Sequence, residues 1–160
     1  MARKQANSPA IKLIAIGKCR DQPILSLIER YQQRLSVPLS ITELPQAAGR
    51  NTTANCDDEC ERLALAAANC LTRIVLDERG VSLSSQEFAA WLNKRFEAAL
   101  LPIAIIIGGA DGLNDRLRDQ ADLKLSFGRL TWPHMLVRVM IVEQLYRAQT
   151  IRLGHPYHRD

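Results

Sequence analysis

All three histidines of this 160-residue chain, His134, His155 and His158, lie beyond residue 130, interleaved with Arg138, Arg147, Arg152 and Arg159 and preceded by Arg129. Trp132, Tyr146 and Tyr157 fall in the same stretch. Histidine is the side chain that titrates near neutrality, and cations beside aromatic rings suit phosphates and unstacked nucleobases. The same letters also describe a frayed basic tail, and a single His is more often structural than catalytic. His134 and Arg138 are four apart, so they share a face near the start of a helix, where polar groups can point into a site. A second group of candidates follows three apolar runs: Leu76 to Gly80 (LDERG), Gly108 to Gly112 (GGADG) and Phe127 to Trp132 (FGRLTW). Gly108 and Gly109 let a ligand approach the backbone with no Cβ in the way, although a Gly pair after a strand is also a plain tight turn. The spacing is not the G-x-G-x-x-G of a dinucleotide fold, and no Gly-Lys-Ser/Thr phosphate loop occurs.

The elements that must carry these residues are legible from hydrophobic period. Ile11 to Ile16 is a short β-rich run ended by Gly17, and after Asp21 and Pro23 the apolar positions change to Ile24, Ile28, Tyr31 and Leu35, a helical spacing. Leu39 to Leu44 alternates and stops at Pro45. A second helix is expected over Cys56 to Cys70, rich in Ala and Leu with acids at its start, and the preceding stretch 49–55 (GRNTTAN) reads as a mobile surface loop. Arg73 to Leu76 is the third strand, and Ser84 with Glu87 resembles a capping box ahead of Phe88, Trp91, Leu92 and Phe96. Pro102 to Ile107 is apolar at nearly every position, as in a central strand covered on both faces. Asn114 caps a short helix to Ala121, Leu123 to Phe127 forms the fifth strand, and Pro133 opens a last helix reaching about Arg152.

Strands alternating with helices imply an α/β fold, a mostly parallel sheet with helices on both faces, in which ligands collect at the carboxyl ends of the strands. The three candidate segments above all follow strands. One domain is expected over 11–160, with residues 1–10 (MARKQANSPA) as a loose polar tail lacking the apolar stretch of a secretory signal. The last helix is apolar on every side through Leu136, Val137, Val139, Met140, Ile141, Val142, Leu145 and Tyr146, which suits either a subunit interface or a central core helix.

Composition narrows the function classes. The 21 Lys and Arg against 17 Asp and Glu give a net charge of +4, which fits a nucleic-acid partner without demanding one. No apolar run approaches the roughly 20 residues of a membrane span, so no membrane partner is expected. The four cysteines, Cys19, Cys56, Cys60 and Cys70, have no neighbouring His, so no metal site is expected and they read as reduced thiols of a cytoplasmic protein.

The segments IVLDERG (74–80), IIGGADG (106–112), LSFGRLTWPH (125–134), Arg138 with EQLYRA (143–148), and HPYHR (155–159) resemble the ribosomal RNA large subunit methyltransferase H family, a group of SPOUT-class enzymes. The likeness runs in order from about Ile11 to Arg159. It implies an α/β fold with a C-terminal trefoil knot, a homodimer, and S-adenosyl-L-methionine as cofactor. It further implies that the enzyme methylates N3 of a pseudouridine in helix 69 of 23S rRNA, with the large subunit or whole ribosome as partner. Carried over by motif, the cofactor pocket comprises Leu76, Gly108, Phe127, Gly128, Arg129, Leu130, Thr131 and Trp132, and it holds the adenine through backbone groups. His134, Arg138, Tyr157, His158 and Arg159 are the catalytic candidates. His158 or His134 would be the base, the arginines would hold charge, and Tyr157 would orient the nucleobase, with the tail supplied by the partner subunit. The departures are a longer N-terminal tail and fewer lysines in 46–62. The rival reading is a ribosome- or RNA-binding factor without catalysis, using the same basic tail.

Overall fold

Every residue of Ile103–Ile107 is buried, because this strand lies in the middle of the sheet and is covered on both faces. The computed structural model describes residues 9–158. Its strands are β1 (Ile11–Ile16), β2 (Leu39–Leu44), β3 (Thr72–Val81), β4 (Ile103–Ile107) and β5 (Leu123–Leu125). They run β2-β1-β4-β3-β5 across one sheet, and every pairing is parallel. The helices are α1 (Gln22–Gln32), α2 (Thr52–Ala66), α3 (Ser85–Glu97), α4 (Asp115–Asp119) and α5 (His134–Arg152).

Alternate strand residues face opposite layers, as the two-residue period requires. Ile11, Leu13, Ile103, Ile105 and Ile107 pack with Ile28 of α1, Phe88 and Leu92 of α3, and Ile141, Val142 and Leu145 of α5. Ile14, Ile16, Ala104 and Ile106 pack with Cys60 and Leu63 of α2 and Leu117 of α4. The expected α/β class with helices on both faces is therefore present. The apolar middle of α5 is explained largely by this packing, with Leu136 left 41% exposed.

Side-chain caps set the helix starts. Ser84 Oγ accepts from Glu87 N–H at 3.1 Å and Glu87 Oε2 accepts from Ser84 N–H at 2.7 Å, a complete capping box. Asn114 accepts from Leu117 N–H at 3.0 Å. The second helix differs from the expectation: it begins at Thr52, not Cys56, and ends at Ala66, so only the first part of 49–55 is a loop. Asn51 is its cap, accepting from Ala54 N–H at 3.1 Å. Polar residues that read as a loop are also the residues that satisfy a helix's first amides. Strand β3 runs past Leu76 to Val81, which pairs with Leu125 beyond a register shift, and β5 stops at Leu125. Of the N-terminal tail, residues 1–8 lie outside the described residues, as does Arg159. Among the described residues no helix is long and apolar enough to cross a membrane.

Candidate functional site

A cavity of about 660 Å³ opens at the carboxyl ends of β3, β4 and β5, a volume within the ordinary range for small-molecule sites of roughly 300–1,000 Å³. Its floor is apolar, from Leu76, Ile107, Leu113, Leu125, Phe127 and Val137. Its rim carries Asp77, Glu78, Arg79 and Asp111. Of the residues expected to hold a cofactor, Leu76, Gly108, Phe127, Gly128, Leu130, Thr131 and Trp132 line this cavity. Arg129 is exposed and forms no part of the wall.

The loops have specific reasons for their shape. Gly112 N–H donates to Gly109 O at 3.1 Å, closing a tight turn. A Cβ on Gly108 would sit 2.6 Å from Gly112 O, so glycine there is required by the turn as well as by any ligand. After β5, Gly128 has φ +111°, a conformation that favours glycine. Its N–H donates to Ser126 Oγ at 3.1 Å, while the buried Ser126 hydroxyl lies 2.9 Å from Gly128 O and 3.2 Å from Glu78 O. That hydroxyl joins the end of β3 to the loop after β5. Asp77, with a side chain 7% exposed, ion-pairs with Arg118 at 2.6 Å and accepts from Arg79 N–H at 2.8 Å. Thr131 Oγ1 donates to Glu78 Oε2 at 3.3 Å.

His134, the first residue of α5, also lines the cavity. Burial, and then the charge of Arg138, lowers its pKa below the ordinary 6.5, so the imidazole is neutral at pH 7. Its Nδ1 is buried without a hydrogen-bond partner. Arg138 lies one turn further on and is 1% exposed. Its guanidinium donates to Glu43 Oε1 at 2.7 Å, to Ile16 O at 2.7 Å and to Gly17 O at 2.8 Å. Glu43 Oε1 accepts from Cys19 N–H as well, at 2.9 Å. The arginine thus pins the start of α5 to the ends of β1 and β2 beside the cavity and forms no part of its wall.

The tail is placed elsewhere within the chain. Tyr157 OH donates to Glu143 Oε1 at 3.1 Å, its ring meets Tyr146 edge-on at 4.8 Å, and Arg147 lies 5.0 Å from its centroid. Burial, with Tyr31 and Glu143 close by, pushes the phenol well above its ordinary value. Glu143 is nine residues beyond His134, about 14 Å along the helix axis. The structure therefore brings His134 to the cavity and leaves Tyr157 and the half-buried His158 outside the wall of their own chain's cavity.

Sequence reasoning missed Glu59, a carboxylate only 5% exposed that accepts from Ala47 N–H at 2.8 Å. The signal was present: Glu59 shares the buried face of α2 with Cys60 and Leu63. It also missed Glu43 and Arg118, whose roles arise only once strands distant in sequence are adjacent. Among the described residues no cluster of His, Cys, Asp or Glu is placed to hold a metal ion.

The geometry has counterparts among known proteins. A family model described as "Predicted SPOUT methyltransferase" matches residues 10–158. The chain is 48% identical over 157 residues to ribosomal RNA large subunit methyltransferase H of Cereibacter sphaeroides, covering 93% of this chain and 98% of that one. It is 40% identical over 158 residues to the protein of that name from Allorhizobium ampelinum, covering 94% and 99%. The fold is similar to that of a probable methylase family protein from Haemophilus influenzae, with a TM-score of 0.58 over 95% of this chain and 71% of that one at 13% identity. Similarity across nearly the whole length of both relatives takes in the cavity segments and the tail alike, and on that ground the chain belongs to the SPOUT methyltransferases, in the family of ribosomal RNA large subunit methyltransferase H.

Proposed function

We propose that this protein transfers a methyl group from S-adenosyl-L-methionine to N3 of a pseudouridine in helix 69 of 23S rRNA, on the assembled large subunit or ribosome. The observation that carries the reading is the cavity at the ends of β3, β4 and β5, with its apolar floor, charged rim and the His134 imidazole in its wall. These features fit the donor. Apolar side chains suit the adenine, backbone groups of the three loops offer donors and acceptors for it, and Glu78 and Asp111 lie at the rim beside Arg79, while Asp77 is ion-paired with Arg118. When bound, S-adenosylmethionine supplies a methyl group already activated on a positively charged sulfur.

The chain must then position the acceptor and remove a proton from it. The His134 imidazole, neutral at pH 7 and at the cavity wall, would accept the N3 proton of the pseudouridine. Arg138 acts through His134, fixing the helix end that carries it. Tyr157 and His158, which lie outside the wall of their own chain's cavity, complete the polar wall from a second copy of the chain together with Arg159. The reading includes a homodimer, a trefoil knot tying the segments around the cavity, a single domain over 11–160, and a cytoplasmic location.

The names of the relatives support an rRNA substrate, and the +4 charge is compatible with it. Two measurements test the reading. Calorimetric titration with S-adenosylmethionine is expected to give saturable heat, which a non-catalytic RNA-binding factor would not. Mass spectrometry of rRNA from cells lacking this chain is expected to show loss of one methyl group on a pseudouridine; unchanged rRNA would overturn it.

A further inference from the structure

We infer that Glu59 is a positioning residue for the methyl donor, holding the loop Gly108–Gly112 in shape. This inference rests on reading the cavity as the S-adenosylmethionine site. Glu59 lies on α2, outside the lining of the cavity, and is 5% exposed. Among the described residues no Lys, Arg or His forms an ion pair with it. Burying a carboxylate against a single amide hydrogen bond is unfavourable, and an apolar side chain like that of neighbouring Leu63 would suit the position better for stability alone.

What the carboxylate does is connect two loops. Oε1 accepts from Ala47 N–H, in the segment after β2. Oε2 occupies the space beside Gly109 where a side chain would begin, so that a Cβ there would overlap it. With Oε1 held by Ala47, the group cannot swing aside cheaply. The same helix grips the loop twice more: Cys56 Sγ donates to Gly112 O at 3.7 Å, and Cys60 Sγ accepts from Asn114 N–H at 3.2 Å. Burial pushes the Cys60 thiol up to about 11, so it stays protonated. Helix α2 thus braces the β4 loop at Gly109, Gly112 and Asn114, and Gly108 and Gly112 are themselves cavity wall.

The test uses the full chain, with calorimetric titration of S-adenosylmethionine and thermal unfolding measured on each variant. E59M and E59A are expected to weaken donor binding about tenfold, the loss of one hydrogen bond to a charged group. E59M is expected to unfold at no lower temperature than the parent. E59Q keeps the acceptor and the shape and recovers most of the affinity. G109A approaches the same contact from the loop and is expected to bind the donor at least tenfold more weakly, whereas G109A/E59A, with the carboxylate gone and only Ile16 Cγ2 at 3.1 Å beside the new Cβ, is expected to bind within about threefold of E59A. A merely structural role predicts lower unfolding temperatures and reduced stoichiometry with an unchanged Kd. That result, or parental affinity in both E59M and G109A, overturns the inference. If the parent itself binds no S-adenosylmethionine, the reading of the cavity fails instead.

Discussion

His134 is the side chain on which most of the proposed chemistry converges, and its environment makes a definite prediction about pH. Because burial and Arg138 lower its pKa, the neutral base predominates at and above 6.5, and the methylation rate is expected to fall only at lower pH. The stability linked to keeping this imidazole neutral is likewise complete above 6.5 and is lost as pH falls below that value. H134N should lower single-turnover methylation of ribosomes by about 100-fold or more, abolish the acidic limb of the rate profile, and leave the Kd for S-adenosylmethionine within about threefold, as for removal of a transition-state interaction. A rate in H134N equal to that of the parent would exclude the imidazole as base. Gly108 and the 127–132 loop were legible in the sequence because they follow strands, and Leu76 because it lies on one, locations that depend on period rather than on any one side chain. Glu59 was not read, because the expected helix began at Cys56 and so placed this acid in the first turn, where the helix dipole accounts for it; in the structure it is mid-helix.

The capping box that opens α3 was readable from Ser84 and Glu87 alone, and S84A is expected to cost about 1 kcal/mol in urea unfolding with no change in donor affinity. Arg138 is a different kind of joint. Removing it in R138A strands the Ile16 and Gly17 carbonyls and leaves Glu43 without its cation, a loss of about 3 kcal/mol by the behaviour of broken buried pairs. Denaturation midpoints compared with those of S84A decide whether the pin outweighs the cap. The sequence shows His134 and Arg138 on one helix face, but the destination of the guanidinium depends on where β1 and β2 end. The start of α2 was misplaced by four residues for a local reason: Asn51, Thr52 and Thr53 satisfy loop and cap chemistry equally well.

The alternation of strands and helices was enough to indicate the α/β class, whereas the strand order was not: nothing in the spacing says that β4 inserts between β1 and β3. The reach of the tail was equally hidden, because it concerns a second copy of the chain. That proposal is tested by mixing two inactive variants, H134N and Y157A, unfolded and refolded together. If the tail serves the other subunit, the mixed dimers regain methylation, since one cavity then has an intact imidazole and an intact tail; if it serves its own chain, the mixture stays inactive. The insertion of β4 has a further consequence for biosynthesis. One edge of β1 finds its partner only when Ile103–Ile107 has been made, after α1, β2, α2, β3 and α3. While the chain is emerging, Leu13 and its neighbours present an unpaired apolar border, so a peptide ending before residue 103 is expected to clump when expressed alone, and translational arrest in this interval is more hazardous to solubility than arrest after it.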